Sequence, residues 1–139
     1  MAAPVHTPHQ APAQPRSTSP AGVLEAPRKR LQKVVNEFFG ESKEVDFTYE
    51  KIQARLGEET LEPESFSSGE KQLLRILVET LVCGDNTIII DEPEISMHID
   101  WQRELLSTMR EINPTCQIIV ATHSPDIMAT VSDDKIIRL

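Results

Sequence analysis

The sequence has few cysteines and no apolar run long enough to span a membrane. Cys83 and Cys116 are the only cysteines among its 139 residues, and each lies beside an apolar segment. That setting favours buried free thiols over a disulfide. The missing apolar run excludes a membrane-spanning helix, and no charged segment followed by an apolar stretch opens the chain to indicate secretion. We therefore expect a soluble cytoplasmic protein.

Glycine is also scarce. The five glycines are Gly22, Gly40, Gly57, Gly69 and Gly84. None precedes a lysine, and no two have the spacing of Gly-x-x-x-x-Gly-Lys-Ser/Thr, the P-loop that cradles phosphates with backbone N–H groups and a lysine. Their positions exclude that phosphate-binding loop from this sequence.

Acidic residues outnumber basic residues, and the formal net charge is -8. This balance argues against a domain that coats nucleic acid, because phosphate binding needs clustered lysine and arginine. We interpret the one short basic run, Arg28 to Arg30 with Lys33, as the solvated face of a helix. Hydrophobic residues make up 39% of the chain, which is enough for the core of one α/β domain or part of one.

The first 27 residues differ in composition from the rest of the chain. They contain six of the ten prolines and few bulky apolar residues. Such a segment buries too little surface to offset its ordering entropy, so residues 1–27 are predicted to be a disordered tail. We expect the folded part, residues 28–139, to begin near Arg28.

Hydrophobic spacing predicts the elements of the folded part. Apolar residues from Leu31 to Phe39 recur at helical spacing, with Gly40 as a cap, and alternation from Val45 to Leu56 predicts a β-hairpin. The later predicted elements are a helix at 69–82, a strand at 87–90 buried on both faces, a helix at 100–112, a strand at 117–121, a short helix after Ser124-Pro125 and a last strand at 135–139. Strand, helix and strand in this order predict a right-handed crossover and a parallel sheet.

Two carboxylates, Asp91 and Glu92, follow the first of these parallel strands. Ligands of open α/β sheets bind at the carboxyl edge, where both should lie. Asp91 is a candidate ligand for magnesium, which prefers oxygen ligands, and Glu92 is a candidate to polarise an attacking water. The alternative for this segment alone is an ordinary strand followed by an acidic turn.

A histidine, His123, follows the next parallel strand and should reach the same edge as Glu92. There it could contact a terminal phosphate and orient Glu92. A lone histidine after a strand is usually a satisfied loop residue, but its place one crossover after an Asp-Glu pair favours a functional role.

A third pattern is Ser67-Ser68-Gly69-Glu70. Ser67 and Glu70 have capping-box spacing, which predicts the start of a helix. The free N–H groups and the dipole at a helix start favour binding of an anion, so all four residues are candidates for contact with an anionic ligand. The alternative for this pattern alone is a plain capped helix.

Together the three patterns resemble the ATP-binding cassette (ABC) ATPases. Residues 66–71 are similar to the signature motif, 88–92 to Walker B with its catalytic glutamate, 94–98 to the D-loop, and His123 to the switch histidine. Three tetrapeptides narrow the resemblance to one branch: Ser-Ser-Gly-Glu, Asp-Glu-Pro-Glu and Thr-His-Ser-Pro. They resemble the motifs of the soluble AAA-type branch near the RecF and overcoming-lysogenization-defect ATPases, which act in DNA repair and antiphage defence. Phe66 stands where leucine is usual, and Ser68 replaces a glycine of the transporter form.

The resemblance implies binding and hydrolysis of ATP with Mg²⁺, and ATP-driven dimerisation. By this resemblance Asp91 binds magnesium, Glu92 activates water and His123 senses the γ-phosphate, while Ser67 and Gly69 act on ATP held by another subunit. Nucleic acid is implied as a partner only by analogy with the family, and no membrane is implied.

The P-loop of these ATPases lies in an N-terminal lobe that this sequence lacks. We therefore expect an α/β fold that corresponds to the C-terminal lobe of an ABC-type P-loop NTPase, present as a fragment or a split subunit and inactive by itself. Its partner would be ATP together with a homodimer mate or a chain that carries the P-loop lobe. The alternatives are a non-catalytic module that docks on a complete ATPase and a truncated product without function.

Overall fold

The computed structural model describes residues 20–40, 43–47, 52–56, 58–61 and 63–138. In chain order the helices and strands are α1 (Pro20–Phe39), β1 (Glu44–Phe47), β2 (Ile52–Leu56), β3 (Glu59–Leu61), α2 (Ser68–Val82), β4 (Thr87–Asp91), α3 (Ile99–Ile112), β5 (Gln117–Ala121) and α4 (Pro125–Met128). Short 3₁₀ turns lie at Pro63–Ser65 and Asp133–Lys135. In the part of the chain described, no helix is long and apolar enough to cross a membrane.

Helix α1 begins at Pro20, before the expected start at Arg28. Leucine, glutamate and alanine, which occupy positions 24–26, are good helix formers, and the helix continues through Pro27. Helix α1 therefore includes residues 20–27, which were expected to belong to the disordered tail. Residues 1–19 of that tail lie outside the described residues.

The predicted hairpin is confirmed, and it extends to a third strand. Strands β1 and β2 pair antiparallel with Val45 opposite Ala54, and β3 pairs antiparallel with β2. The third strand was not predicted, because three residues are too short to show an alternating pattern. The tip of the hairpin, residues 48–51, lies outside the described residues.

The parallel pair of strands is confirmed. Strand β4 pairs parallel with β5, with Ile89 opposite Ile119 and Asp91 opposite Ala121, and α3 forms the crossover between them. The α/β class, with a parallel sheet flanked by helices and preceded by a β-hairpin, is therefore as the sequence predicts.

The prediction that β4 is buried on both faces is wrong. Ile88 and Ile90 point into the core, whereas Ile89 is 74% exposed and Ile119, its neighbour on β5, is 46% exposed. Successive side chains of a strand point to opposite faces. The helices of the described residues cover one face of this sheet, so the apolar run of β4 is only half buried.

The predicted last strand is also wrong. Residues 133–135 form a 3₁₀ turn, and Ile136 to Arg138 have no regular secondary structure, while Leu139 lies outside the described residues. A strand forms where a neighbour completes its backbone hydrogen bonds. Within the described ranges, β5 is the one strand that pairs with β4, so the apolar pattern alone does not make this segment a strand.

The core lies between the three long helices and the covered face of the sheet. Its fully buried side chains include Val35 of α1, Leu73 and Leu77 of α2, and Leu105 and Met109 of α3. Each of these helices contributes an apolar stripe at helical spacing. This core fixes α2 and α3, the helices next to the candidate site, relative to the sheet.

An aromatic cluster extends the core to the start of α2. The ring of Phe39 lies 5.9 Å from that of Phe66 and 5.8 Å from that of Trp101. Phe66 is buried, so it anchors the segment before α2 to α1. The phenylalanine in place of the usual leucine thus has a packing role.

Candidate functional site

The residues that follow β4 and β5 meet at one edge of the sheet. The backbone N–H of Glu92 donates to the carbonyl of Ala121 at 2.8 Å, which continues the ladder one residue beyond β4. Asp91, Glu92 and the segment after Ala121 are therefore at the carboxyl edge of the strands, where open α/β sheets bind ligands.

Glu92 and His123 lie close together at this edge. The Nε2 atom of His123 is 3.9 Å from Oε1 of Glu92. The histidine side chain is 91% exposed and that of the glutamate 44% exposed. The topology predicted this proximity from the sequence, and the structure shows both side chains accessible to a ligand.

Glu92 has a left-handed backbone conformation with a φ of 44°. A non-glycine residue costs conformational free energy in this region, so contacts with the surrounding structure must stabilise it. Two hydrogen bonds hold it here, one from the Glu92 N–H to Ala121 and one from the N–H of Ile95 to the Glu92 carbonyl at 3.2 Å. The carboxylate is thus placed by a fixed turn.

Glu94, two residues later, fixes the segment that carries His123. Its Oε1 accepts the backbone N–H groups of His123 at 2.7 Å and Ser124 at 3.0 Å. Burial by itself would raise the pKa of Glu94, but hydrogen bonds from backbone N–H groups and from Thr122 outweigh it and hold the pKa below its usual value. The sequence suggested a D-loop residue here and did not reveal this contact.

Gln102 of α3 makes a second link between the two segments. Its Nε2 donates to the carbonyl of Met97 at 2.9 Å, and its Oε1 accepts the hydroxyl of Ser124 at 2.6 Å. Ser124 in turn caps α4 by accepting the N–H of Ile127. Gln102 therefore ties the turn after β4 to the segment after β5, and sequence reasoning missed it because a lone glutamine on a helix carries no signal.

The capping box at the start of α2 is confirmed. Ser67 Oγ accepts the N–H of Glu70 at 3.2 Å, and the Glu70 carboxylate accepts the N–H of Ser67 at 2.6 Å. Within the described contacts, the N–H groups of Ser68 and Gly69 are the ones at this helix start that no acceptor occupies. Ser68 is exposed, whereas Gly69 is buried, so the N–H of Ser68 is the more accessible of the two to an anion.

Lys43 completes the cap. Its ammonium group lies 2.8 Å from both carboxylate oxygens of Glu70. Burial alone would raise the pKa of Glu70, but the hydrogen bonds from Lys43 and Ser67 outweigh it and lower the pKa. The carboxylate of Glu70 is therefore engaged inside the cap.

Gly69 lies directly against the turn that follows Glu92. A Cβ atom at this position would clash with the carbonyl oxygen of Ser96, itself a residue with a φ of 63°. The start of α2 and the 93–98 turn are consequently packed backbone to backbone. The sequence pointed to Gly69 for anion binding and did not reveal this close approach.

Asp91 is suited to a magnesium ion that arrives with a nucleotide. Its side chain is exposed, and by strand alternation it lies on the same face of β4 as Ile89. Among the described residues no group of three His, Cys, Asp or Glu side chains could hold a metal ion. Magnesium usually takes one or two carboxylates, with water and substrate phosphates as its other ligands, so a single aspartate fits this mode of binding.

A protein-family model described as "AAA domain, putative AbiEii toxin, Type IV TA system" matches residues 17–129. The chain belongs to this AAA family. The match covers most of the sequence, including α2, the Asp91–Glu92 pair and His123. The family of ABC-type AAA ATPases inferred from the sequence motifs is thus confirmed.

The curated relatives that the chain matches are longer proteins. The chain is 27% identical over 85 residues to the Retron Vc95 probable ATPase of Vibrio cholerae serotype O1 biovar El Tor, a match that covers 52% of this chain and 16% of that protein. It is 33% identical over 55 residues to the Septu protein PtuA of Bacillus thuringiensis, covering 40% of this chain and 14% of PtuA. The chain thus spans roughly one sixth of the length of these relatives.

Solved structures of SMC ATPases share the fold. One, of the SmcHead bound to the C-winged helix domain of ScpA, superposes with a TM-score of 0.59 at 18% identity and covers 77% of this chain and 37% of that one. A second, from work on ATP-driven dimerization and DNA stimulated activation of SMC ATPases, gives a TM-score of 0.57 at 16% identity, with 78% and 74% covered. These likenesses confirm the P-loop NTPase fold class.

Proposed function

We propose that this chain supplies the C-terminal half of an ABC-type ATPase site and hydrolyses ATP with Mg²⁺ once a lobe that carries a P-loop joins it. The observation that supports this most directly is the Glu92–His123 pair, 3.9 Å apart at the carboxyl edge of the parallel sheet. Asp91 adjoins this pair, and Glu92 is held in a strained turn of the kind that recurs at active sites.

Each of these residues has a distinct role in the proposal. Asp91 holds magnesium, which neutralises charge on the phosphates. Glu92 accepts the proton of the attacking water. His123, which is almost fully exposed, contacts the γ-phosphate and keeps the Glu92 carboxylate in position.

The uncovered face of the sheet provides the place for the P-loop lobe. Ile89 and Ile119 are neighbours on this face and are both exposed. Asp91 lies on the same face as Ile89, two residues further along β4. A lobe that covers the two isoleucines would therefore bring its phosphate-binding loop next to the aspartate.

The start of α2 is proposed to act on ATP held by another subunit. The exposed Ser68 lies at the start of this helix, where unpaired backbone N–H groups and the helix dipole favour negative charge. Ser67 holds the cap that orients these groups. A homodimer or a complex of two such lobes would follow, and Ser67→Arg should block ATP-dependent association by filling the anion site.

The chain spans only part of the length of its curated relatives. We propose that it acts as a fragment or a split subunit of a DNA-repair or antiphage-defence type ATPase. The similarity to the Retron Vc95 probable ATPase supports the ATPase part of this proposal.

Complementation tests the proposal. The chain is mixed with a matching N-terminal lobe that carries a P-loop and is expressed separately, and phosphate release is measured with and without Mg²⁺. We expect Mg²⁺-dependent hydrolysis by the mixture and none by either lobe alone. A lobe whose P-loop lysine is replaced by alanine is the control. If the folded lobes bind each other but release no phosphate, the proposal fails and a non-catalytic docking module replaces it.

A further inference from the structure

Two cysteines far apart in sequence meet on the side of the molecule opposite the carboxyl edge of the strands. Cys83 caps the C-terminal end of α2, and Cys116 directly precedes β5. The thiol of Cys116 donates to the sulfur of Cys83, and the two Sγ atoms are 3.1 Å apart. Both are free thiols, Cys116 buried and Cys83 half-buried.

Polar contacts hold the two cysteine segments together. The amide of the buried Asn113 donates to the carbonyls of Thr80 and Gly84 at 3.0 and 2.8 Å, and its oxygen accepts the N–H of Cys116 at 3.3 Å. These bonds join the end of α2 to the residues before β5. The proximity of the thiols is thus fixed by the surrounding backbone rather than by the side chains alone.

Two further contacts close the same region. The hydroxyl of Thr115 donates to Asp85 at 2.7 Å, and the N–H of Gln117 donates to the carbonyl of Asn86 at 3.2 Å. The loop after α2 and the loop after α3 therefore lie side by side along their length. Formation of a bond between the sulfurs requires them to approach by about 1 Å, since a disulfide is ~2.05 Å long.

We propose that Cys83 and Cys116 form a site of reversible thiol oxidation, with a peroxide as the oxidant. Cys83 is the more accessible thiol, and its sulfur attacks one oxygen of the peroxide, which breaks the O–O bond and leaves a sulfenic acid and water or an alcohol. The sulfur of Cys116 then attacks the Cys83 sulfur, loses its proton and expels water. In total two thiols lose two protons and two electrons to the peroxide, and a dithiol reductant reverses the reaction.

The exposure of the two sulfurs sets this order of events. Burial, together with the neighbouring Cys83, raises the pKa of Cys116 above its usual value, so this thiol is a poor first nucleophile. It is nevertheless in contact with the sulfur that would carry the sulfenic acid. The second step is intramolecular and needs no access from solvent.

The disulfide would join the end of α2 to the start of β5, and the opposite ends of these two elements lie at the candidate site. Helix α2 starts at the Ser67 cap, and β5 leads to His123. Oxidation would therefore cross-link the helix and the strand without occupying the site itself. This inference does not depend on the proposed ATPase activity.

Mass spectrometry of the whole chain tests the site. The reduced, folded chain is treated with hydrogen peroxide, and we expect a monomer about 2 Da lighter, because a disulfide removes two hydrogen atoms. Dithiothreitol should restore the mass, and peptide mapping should identify a Cys83–Cys116 cross-link. In chain unfolded in urea, added dimedone should trap a larger share of the sulfenic acid before the cross-link forms, because the second thiol is no longer held beside it.

Cys83→Ala and Cys116→Ala are the matched controls, and neither should lose this mass. The decisive comparison uses the wild-type chain alone, so it does not depend on the folding of either variant. Folded wild-type chain that only gains oxygen or forms intermolecular dimers would overturn the proposal. A share of sulfenic acid that dimedone traps equally in the folded chain and in urea would overturn it as well.

Discussion

The carboxylate of Glu94 accepts the backbone N–H of His123 at 2.7 Å, so the turn after β4 holds the segment after β5. Glu92 begins that turn, and its side chain faces His123. The distance between the two candidate catalytic residues is therefore set by backbone contacts through Glu94. A change at Glu94 should alter both stability and the geometry of the site.

Replacement of Glu94 by alanine should destabilise the chain by about 1–3 kcal/mol, because the N–H groups of His123 and Ser124 lose their acceptor. Glu94→Gln keeps a carbonyl oxygen that can accept these hydrogen bonds, so it should lose less stability. Urea unfolding of the three proteins measures the difference, with Glu104→Ala, at an exposed position of α3, as the control. Equal losses for the alanine and glutamine variants would contradict the role of this hydrogen bond.

Acid should weaken the fold through Glu70 as well as Glu94. The pKa of each is lower in the folded chain than its usual value. Such a group contributes stability above its unfolded pKa of about 4.3, and that contribution is lost as pH falls through the lower folded pKa.

We therefore expect the free energy of unfolding to decline as the pH is lowered below about 5. The decline should be shallower in Glu70→Gln, which removes one of the two groups. Urea unfolding from pH 7 to pH 3 measures both slopes. Superimposable slopes would show that the ion pair with Lys43 contributes no pH-dependent stability.

Gly69→Ala tests the contact between α2 and the 93–98 turn. The added methyl group would meet the carbonyl of Ser96, and overpacking of this kind typically costs about 1–3 kcal/mol. Ser68→Ala, one residue earlier and exposed, should change stability little. Thermal unfolding of the two variants gives the comparison, and an undiminished midpoint for Gly69→Ala would mean that the turn does not lie against the helix.

The sequence predicted the elements whose signals are local. The Ser67–Glu70 capping box marked the start of α2 because both partners lie within one turn, and the apolar runs of β4 and β5 predicted the parallel pair. The proximity of Glu92 and His123 followed from topology alone, since both come directly after parallel strands.

Contacts between distant residues carried no such signal. Lys43 pairs with Glu70 across 27 residues, and Asn113 reaches Thr80 across 33. Neither residue differs in sequence from an ordinary surface lysine or a helix-ending asparagine. The exposure of Ile89 was missed for a related reason, because an apolar strand looks the same whether one face or both are covered.

The exposed face of the sheet should be required for association with a P-loop lobe but not for folding. Ile89→Asp places a charge on that face, where the wild-type side chain is already largely exposed, and should change the stability of the chain little. It should nevertheless abolish binding of the matching P-loop lobe, measured by calorimetry.

The adjacent residue provides the matched control. Ile88 lies on the buried face, and Ile88→Ala should destabilise the chain by about 2–5 kcal/mol. It should leave binding intact at temperatures where the variant remains folded. Unchanged binding by Ile89→Asp would place the P-loop lobe elsewhere.

The proposed role of Glu92 as the catalytic carboxylate is tested most directly by the rate of phosphate release from the mixed lobes with Glu92→Gln. The amide keeps the shape of the side chain but cannot accept a proton, and general-base groups typically contribute ~10²–10⁴-fold to rate. We predict a loss of that size with the association of the lobes preserved, while Glu104→Gln, which removes the same charge from α3, retains the wild-type rate. If the mixture hydrolyses ATP and Glu92→Gln leaves the rate unchanged, Glu92 is not the catalytic carboxylate.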